Sequence, residues 1–289
     1  PGGHLTALLN PALRDEAGRP YGQLGSLDLP DDPGAARELV DRALAWLAAQ
    51  EPDIATVLAP MNGDAWRDYR LMVAGFEAPP FPGEPRNPPW LPGLLTACGF
   101  APFSEHLTKT LDDPAALLAA WEPQAARMRR RGYGFTAVVG ADLAQNLPRA
   151  HRLSLRVFGR LPLFTPLPEA DFRALYAGAD RLLEPGGLVF AQGPDGVDLG
   201  LGFAFRLPDR PEDLYLKSFG ILPERQGSGL AAAFLAELYR LWLGRGVRRV
   251  HHCLMNRHEA ATRFDRGAGR VTRRYRLYAR PLGGGAAAP

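Results

Sequence analysis

Lysine is almost missing from this chain: among 289 residues only Lys109 and Lys217 carry an ammonium, and arginine is the default cation. Cysteine is equally scarce. Cys98 and Cys253 are too few for a disulfide framework and have no metal-ligand spacing, so both are expected as buried free thiols in a reducing cytoplasm. No run of some 18 apolar residues occurs, which excludes a membrane-spanning helix. The first residues, Pro1-Gly2-Gly3-His4, lack a basic stretch followed by an apolar one, so no secretory signal is read there. They also lack a methionine and lead at once into Leu5-Thr6-Ala7-Leu8-Leu9, which leaves room for an upstream segment.

What is present is an ordinary globular composition, 46% hydrophobic and 22% charged, with a net charge of +3. The length corresponds to about two domains. Arginines concentrate towards the C-terminus, including Arg257, Arg263, Arg266, Arg270, Arg273 and Arg274. They read as a solvated charged face or, functionally, as a seat for a phosphate-rich ligand, with nucleic acid the weaker variant.

Short apolar runs at residues 5–9, 23–27 and 54–58 predict strands, and Asp32-Pro33 predicts a helix start with Leu39, Ala43, Leu44 and Leu47 on one face. Residues 76–90 are proline-dense and predict an irregular, extended excursion. Helices are expected at residues 91–98, at 113–128 with a kink at Pro123, and at 169–176, with a linker near 146–160. A hairpin about Gly193-Pro194-Asp195-Gly196, a strand at 247–255, a short helix after Asn256 and a last strand at 274–280 complete the set. The expected class is α+β, a mixed and mostly antiparallel central sheet flanked by helices. Its expected division is two halves, residues 1–150 and 151–282, with a disordered low-complexity tail at 283–289.

The most informative stretch runs from Leu214 through Lys217 and Phe219 to Ala231. An alternating apolar segment stops at Pro223, a glycine-rich turn follows, and an amphipathic helix begins. Such a turn exposes backbone N–H groups at a helix N-terminus, where an anion is stabilised. A P-loop needs Gly-Lys-Ser/Thr, which is absent. Gly227, Gly229 and Ala232 match a Rossmann fingerprint formally. However, Pro223-Glu224-Arg225-Gln226 separates strand from turn, and no acid stands about twenty residues on.

Ile221-x-Pro223-x-x-Gln226-Gly227-x-Gly229-x-Ala231 instead resembles the pyrophosphate loop of the GNAT superfamily of acyl-CoA N-acyltransferases, whose Gln/Arg-x-x-Gly-x-Gly/Ala is met by Gln226, Gly229 and Ala231. The segments Ala59-Pro60-Met61-Asn62-Gly63, Glu84-Pro85-Arg86-Asn87-Pro88 and Arg273-Arg274-Tyr275 are similar to a bacterial group in which a degenerate GNAT-like half precedes a competent one. The resemblance implies the acyl-CoA N-acyltransferase fold in two halves, acetyl-CoA or another acyl-CoA as co-substrate, no metal, and a small-molecule or peptide amine as acceptor. It further implies that backbone groups of Phe219 and Ile221 hold the pantetheine amides. Gln226, Gly227, Ser228, Gly229, Leu230 and Ala231 would hold the diphosphate, with Asn256 and Phe264 beside the coenzyme. The family often has a tyrosine acid about eight residues past the asparagine; Phe264 stands there. His251 and His252, on opposite faces of their strand, and Lys217 are the candidate bases, each with a structural alternative: a hydrogen-bonded buried histidine, a snorkelling lysine. A coenzyme-binding protein without turnover is the alternative function. Transfer from aminoacyl-tRNA is a third and weaker one.

Overall fold

The structure, a computed structural model, describes residues 2–138, 142–179, 187–258 and 260–282. The expected tail at 283–289 lies outside the described residues. The chain forms two compact units: one of residues 1–107, 162–165 and 272–289, the other of residues 108–161 and 166–271. The chain passes between units within two long strands, β5 (Ala101–Leu111) and β11 (Arg270–Pro281). Sequence composition carries no mark of such a crossing, because a strand interior looks alike on either side of it.

In the first unit, β1 (His4–Arg14) pairs antiparallel with β2 (Pro20–Asp28), β2 runs parallel to β3 (Thr56–Ala59), and β3 pairs antiparallel with β11. A short β4 (Leu71–Ala74) also pairs with β11. Helix α1 (Pro33–Gln50) starts where Asp32 accepts from the N–H groups of Gly34 and Ala35, and buries Val40, Ala43, Leu44 and Leu47. Helix α2 (Leu91–Ala97) packs in the same core, which includes Cys98.

The proline-dense excursion is held by a buried polar knot. Glu84 pairs with Arg273 Nε at 2.7 Å, accepts from Tyr275 Oη at 2.5 Å and from the Phe81 N–H at 3.3 Å, while Arg273 also donates to the Pro79 carbonyl. Burial raises the Glu84 carboxyl pKa against the opposing pull of the Tyr275 and Arg273 contacts. The motif segments at Glu84 and Arg273-Arg274-Tyr275 thus form one structural device with Pro79 and Phe81.

In the second unit, β6 (Gly134–Val138), β7 (Leu188–Gln192), β8 (Asp198–Leu207) and β9 (Arg210–Ile221) form an antiparallel run, and β10 (Arg249–Asn256) lies parallel to β9. Helix α3 (Pro114–Arg130) packs with α6 (Leu230–Leu243). The expected linker at 146–160 is instead helix α4 (Leu143–Phe158), which buries Leu143, Leu147, Ala150, Leu153 and Val157 at helical spacing. Its interior Pro148 disguised that periodicity: proline forfeits one backbone bond, and tertiary burial outweighs the loss. Helix α5 (Glu169–Leu175) follows, packed through the Phe172 ring against His151 of α4. Among the described residues no helix is long and apolar enough to cross a membrane, and no group of three or more His, Cys, Asp or Glu could hold a metal ion.

Candidate functional site

Strand β9 supplies the frame. Its β8 partners are Phe203 for Ser218 and Ala204 for Leu216, so Lys217 is an extra residue inserted into the ladder as a β-bulge. Asp213, Leu214, Tyr215 and Leu216 are buried, whereas Lys217, Ser218, Phe219 and Gly220 are half-buried. The parallel ladder with β10 matches Asp213 to Arg249 and ends at Leu216 with His252. Just beyond, Leu254 of β10 takes a left-handed φ of 56°, which departs from regular strand geometry. Past this point the last residues of β9, Lys217 to Ile221, leave the β10 ladder.

Gly220, one residue before Ile221, has a packing reason of its own. A Cβ there would run into Val157 of α4 and press on Phe158, so only glycine lets α4 close on this strand end. On the α6 side, the Phe219 ring lies 5.1 Å from Phe234 and 5.8 Å from Phe264, and Phe135 stacks on Phe234 at 5.5 Å. Phe219 and Phe264, 45 positions apart in sequence (264 − 219), are brought into contact.

After Ile221 the chain makes a 3-10 turn, Pro223–Arg225, and then the glycine turn. Gly227 has φ 76° and Gly229 φ 84°, both in the left-handed region that favours glycine. Gln226, Gly227 and Ser228 are exposed; Gly229 caps the N-terminus of α6 and Leu230 is buried as its first residue. Ser228 Oγ accepts from the Leu230 N–H at 3.3 Å. A Cβ on Gly227 would meet nothing within 4 Å, so this turn opens on unfilled space at the head of a 14-residue helix. Two small residues, backbone donors and the helix dipole fit a diphosphate. A Cβ on Gly229 would instead collide with the Gln124 carboxamide from α3, whose Nε2 donates to the Ser228 carbonyl at 3.4 Å.

The candidate bases are placed differently. Both histidines are buried. His251 accepts or donates through Nδ1 with Thr110 Oγ1 at 2.9 Å, stacks on Tyr215 at 4.6 Å, and has Asp213 3.6 Å from Nε2. His252 Nε2 lies 2.5 Å from Tyr239 Oη. Burial drives its pKa down to about 4, with Lys109 and His251 pushing the same way and Asp265 opposing, so the ring is neutral at neutral pH. Both histidines tie β10 to its neighbours. Lys217 sits in the bulge itself. Asn256 Oδ1 accepts from the His258 N–H at 3.0 Å and so caps the turn after β10.

Residues invisible as site candidates in the sequence complete the picture. Lys109 Nζ pairs with Asp265 at 2.7 Å and donates to the Thr262 carbonyl at 2.8 Å, while Asp265 accepts from the Gly267 N–H. With Asp265 almost wholly buried, this pair pins the segment bearing Phe264. The signal available for Lys109 was its rarity, and for Gln124 there was none.

No family model matches this chain. A 98-residue stretch is 28% identical to Protein YghO of Escherichia coli, covering 34% of this chain and 25% of that protein, so the chain matches about a quarter of the relative's length. Among solved structures, a GCN5-related N-acetyltransferase from Sphaerobacter thermophilus aligns over 99% of this chain and 79% of its own, at TM-score 0.55 and 15% identity. A tandem GNAT protein from the clavulanic acid biosynthesis pathway aligns over 93% and 77%, at TM-score 0.52 and 16% identity. A conserved Enterococcus faecalis protein of unknown function, described as a probable N-acyltransferase, aligns over 97% and 59%, at TM-score 0.58 and 13% identity. The chain has the fold of the GNAT superfamily, in a two-half architecture.

Proposed function

We propose that the protein is an acyl-CoA-dependent N-acyltransferase, using acetyl-CoA and an amine acceptor, with one coenzyme site per chain. The observation that carries it is the end of the β9–β10 ladder at Leu216 and His252, followed by a glycine turn that opens on free space at the head of α6. In this reading residues 151–282 are the competent half and residues 1–150 the degenerate one. Backbone groups of Phe219 and Ile221 would hold the pantetheine arm, and Gln226, Gly227, Ser228, Gly229, Leu230 and Ala231 the diphosphate. Asn256 and Phe264 would flank the coenzyme.

The thioester supplies an activated acyl carbon with a thiolate leaving group. A backbone N–H at the bulge would stabilise the carbonyl oxygen as charge develops on it. Lys217 stands nearest that point in the strand and would anchor an acidic acceptor or take the amine's proton. Incubation with acetyl-CoA and a panel of amines, followed by thiol release, tests the reaction. A reading as a cytoplasmic coenzyme-binding or regulatory protein is favoured by one arrangement: both histidines are engaged in buried contacts and a phenylalanine fills the acid's position. Thiol release that depends on an amine rules that reading out.

A further inference from the structure

We infer that Gln124, on α3, is a diphosphate-binding residue of the coenzyme site, an inference that rests on the acyl-CoA reading above. Gln124 stands 104 positions upstream of Ser228, outside the glycine motif. Its carboxamide lies in the volume that a Gly229 side chain would occupy, directly on the left-handed residue that starts α6. Among the described residues it makes one hydrogen bond there, to the Ser228 carbonyl at 3.4 Å, at the long limit for such a bond. A primary amide has two N–H donors, so a donor is left to meet an anion seated over the turn.

Helix α3 is tied to α6, the helix that the glycine turn begins. Arg129 bridges Glu122 and Glu237 at 2.5 Å each, Arg240 reaches the same two carboxylates, and the Trp121 and Tyr239 rings sit 5.5 Å apart. The Gly227 side of the turn is open, the Gly229 side is lined by this amide, and an anion between them would be met by backbone donors and by Nε2 together. Gly229 is then small for two reasons: its left-handed φ and the room it leaves for Gln124.

Calorimetric titration with coenzyme A across a charge series at this position tests the assignment. Gln124→Leu is expected to weaken binding about tenfold, as for loss of one hydrogen bond to a charged group. Gln124→Glu is expected to weaken it further, with a deficit that shrinks as salt is raised, and Gln124→Arg to bind at least as tightly as the wild type. A residue that merely supports the fold would not order the affinities by charge, and equal thermal midpoints across the series exclude unfolding as the cause. Affinities that are flat across the series, or unrelated to charge, overturn the role of Gln124 alone. Absence of coenzyme A binding by the wild type overturns the acyl-CoA reading, and this contact with it.

Discussion

The rings of Phe219 and Phe264 meet edge to face, 5.8 Å between centroids and 86° between planes. Phe264, at the position where the GNAT resemblance implies a tyrosine acid, is therefore packed against the strand proposed to hold the pantetheine arm. Phe264→Tyr keeps that geometry and adds a phenol. Under the acyl-transfer reading its kcat rises by about tenfold, less than a positioned general acid ordinarily contributes because a thiolate is a good leaving group. Phe264→Ala, which removes the ring, lowers stability by about 1–2 kcal/mol. Steady-state kinetics and urea unfolding check both, and an unchanged kcat in Phe264→Tyr places the thiol's proton elsewhere.

The Lys109–Asp265 pair holds the Phe264 segment in place from β5. Lys109→Met leaves Asp265 buried without its cation, and the expected loss is about 3–5 kcal/mol, the range for breaking a buried pair from one side. Lys109→Met with Asp265→Leu removes both charges and is expected to recover a large part of it. A double-mutant cycle in urea measures the coupling. Additive losses would mean the pair does not act as a unit.

Two buried histidines set the acid limit of the fold. Burial, reinforced by the Arg70 charge, lowers the His106 pKa to about 2, and burial lowers that of His252 to about 4. Both lie below the unfolded value of 6.5, so the unfolded chain binds these protons first. The stability carried by the neutral rings is complete above pH 6.5 and is lost as pH falls, at about 1.4 kcal/mol per unit for each ring. His252 stops contributing to the slope near pH 4 and His106 near pH 2. His252→Gln is expected to reduce the slope between pH 6.5 and 4.5 by about 1.4 kcal/mol per unit. An unchanged slope would show that His252 titrates normally.

Glu84 and Arg273 make the corresponding lock in the first unit. With both side chains nearly sealed from solvent, Arg273→Met is expected to cost about 3–5 kcal/mol. Release of residues 76–90 should accompany it, read as faster proteolysis within that proline-dense stretch. Glu84's raised pKa gives the opposite sign from the histidines: its contribution is complete below the unfolded value and is lost as pH rises through the raised one.

The legible parts of this molecule are those written in consecutive residues. The strand, Pro223, the two glycines and helix α6 all lie within one short stretch, and their local chemistry is enough to recognise the turn. Asp32 announced α1 for the same reason. The bulge at Lys217 escaped because an inserted residue alters pairing, not composition. Gln124 and the Lys109–Asp265 pair act across more than 100 positions, and nothing local distinguishes them from solvent-facing residues. Helix α4 was hidden by Pro148, and the histidines' buried partners, Thr110 and Tyr239, come from other elements.

The most direct test of the acyl-CoA assignment uses Gly227, whose side-chain direction is open, so that a replacement displaces no packed atom and costs only the strain of its left-handed φ of 76°. Calorimetry with acetyl-CoA is expected to show saturable binding to the wild type and none to Gly227→Trp, whose indole fills the space over the turn while the fold, checked by thermal unfolding, persists. Binding of equal strength to both proteins, or no binding to the wild type, would contradict the assignment.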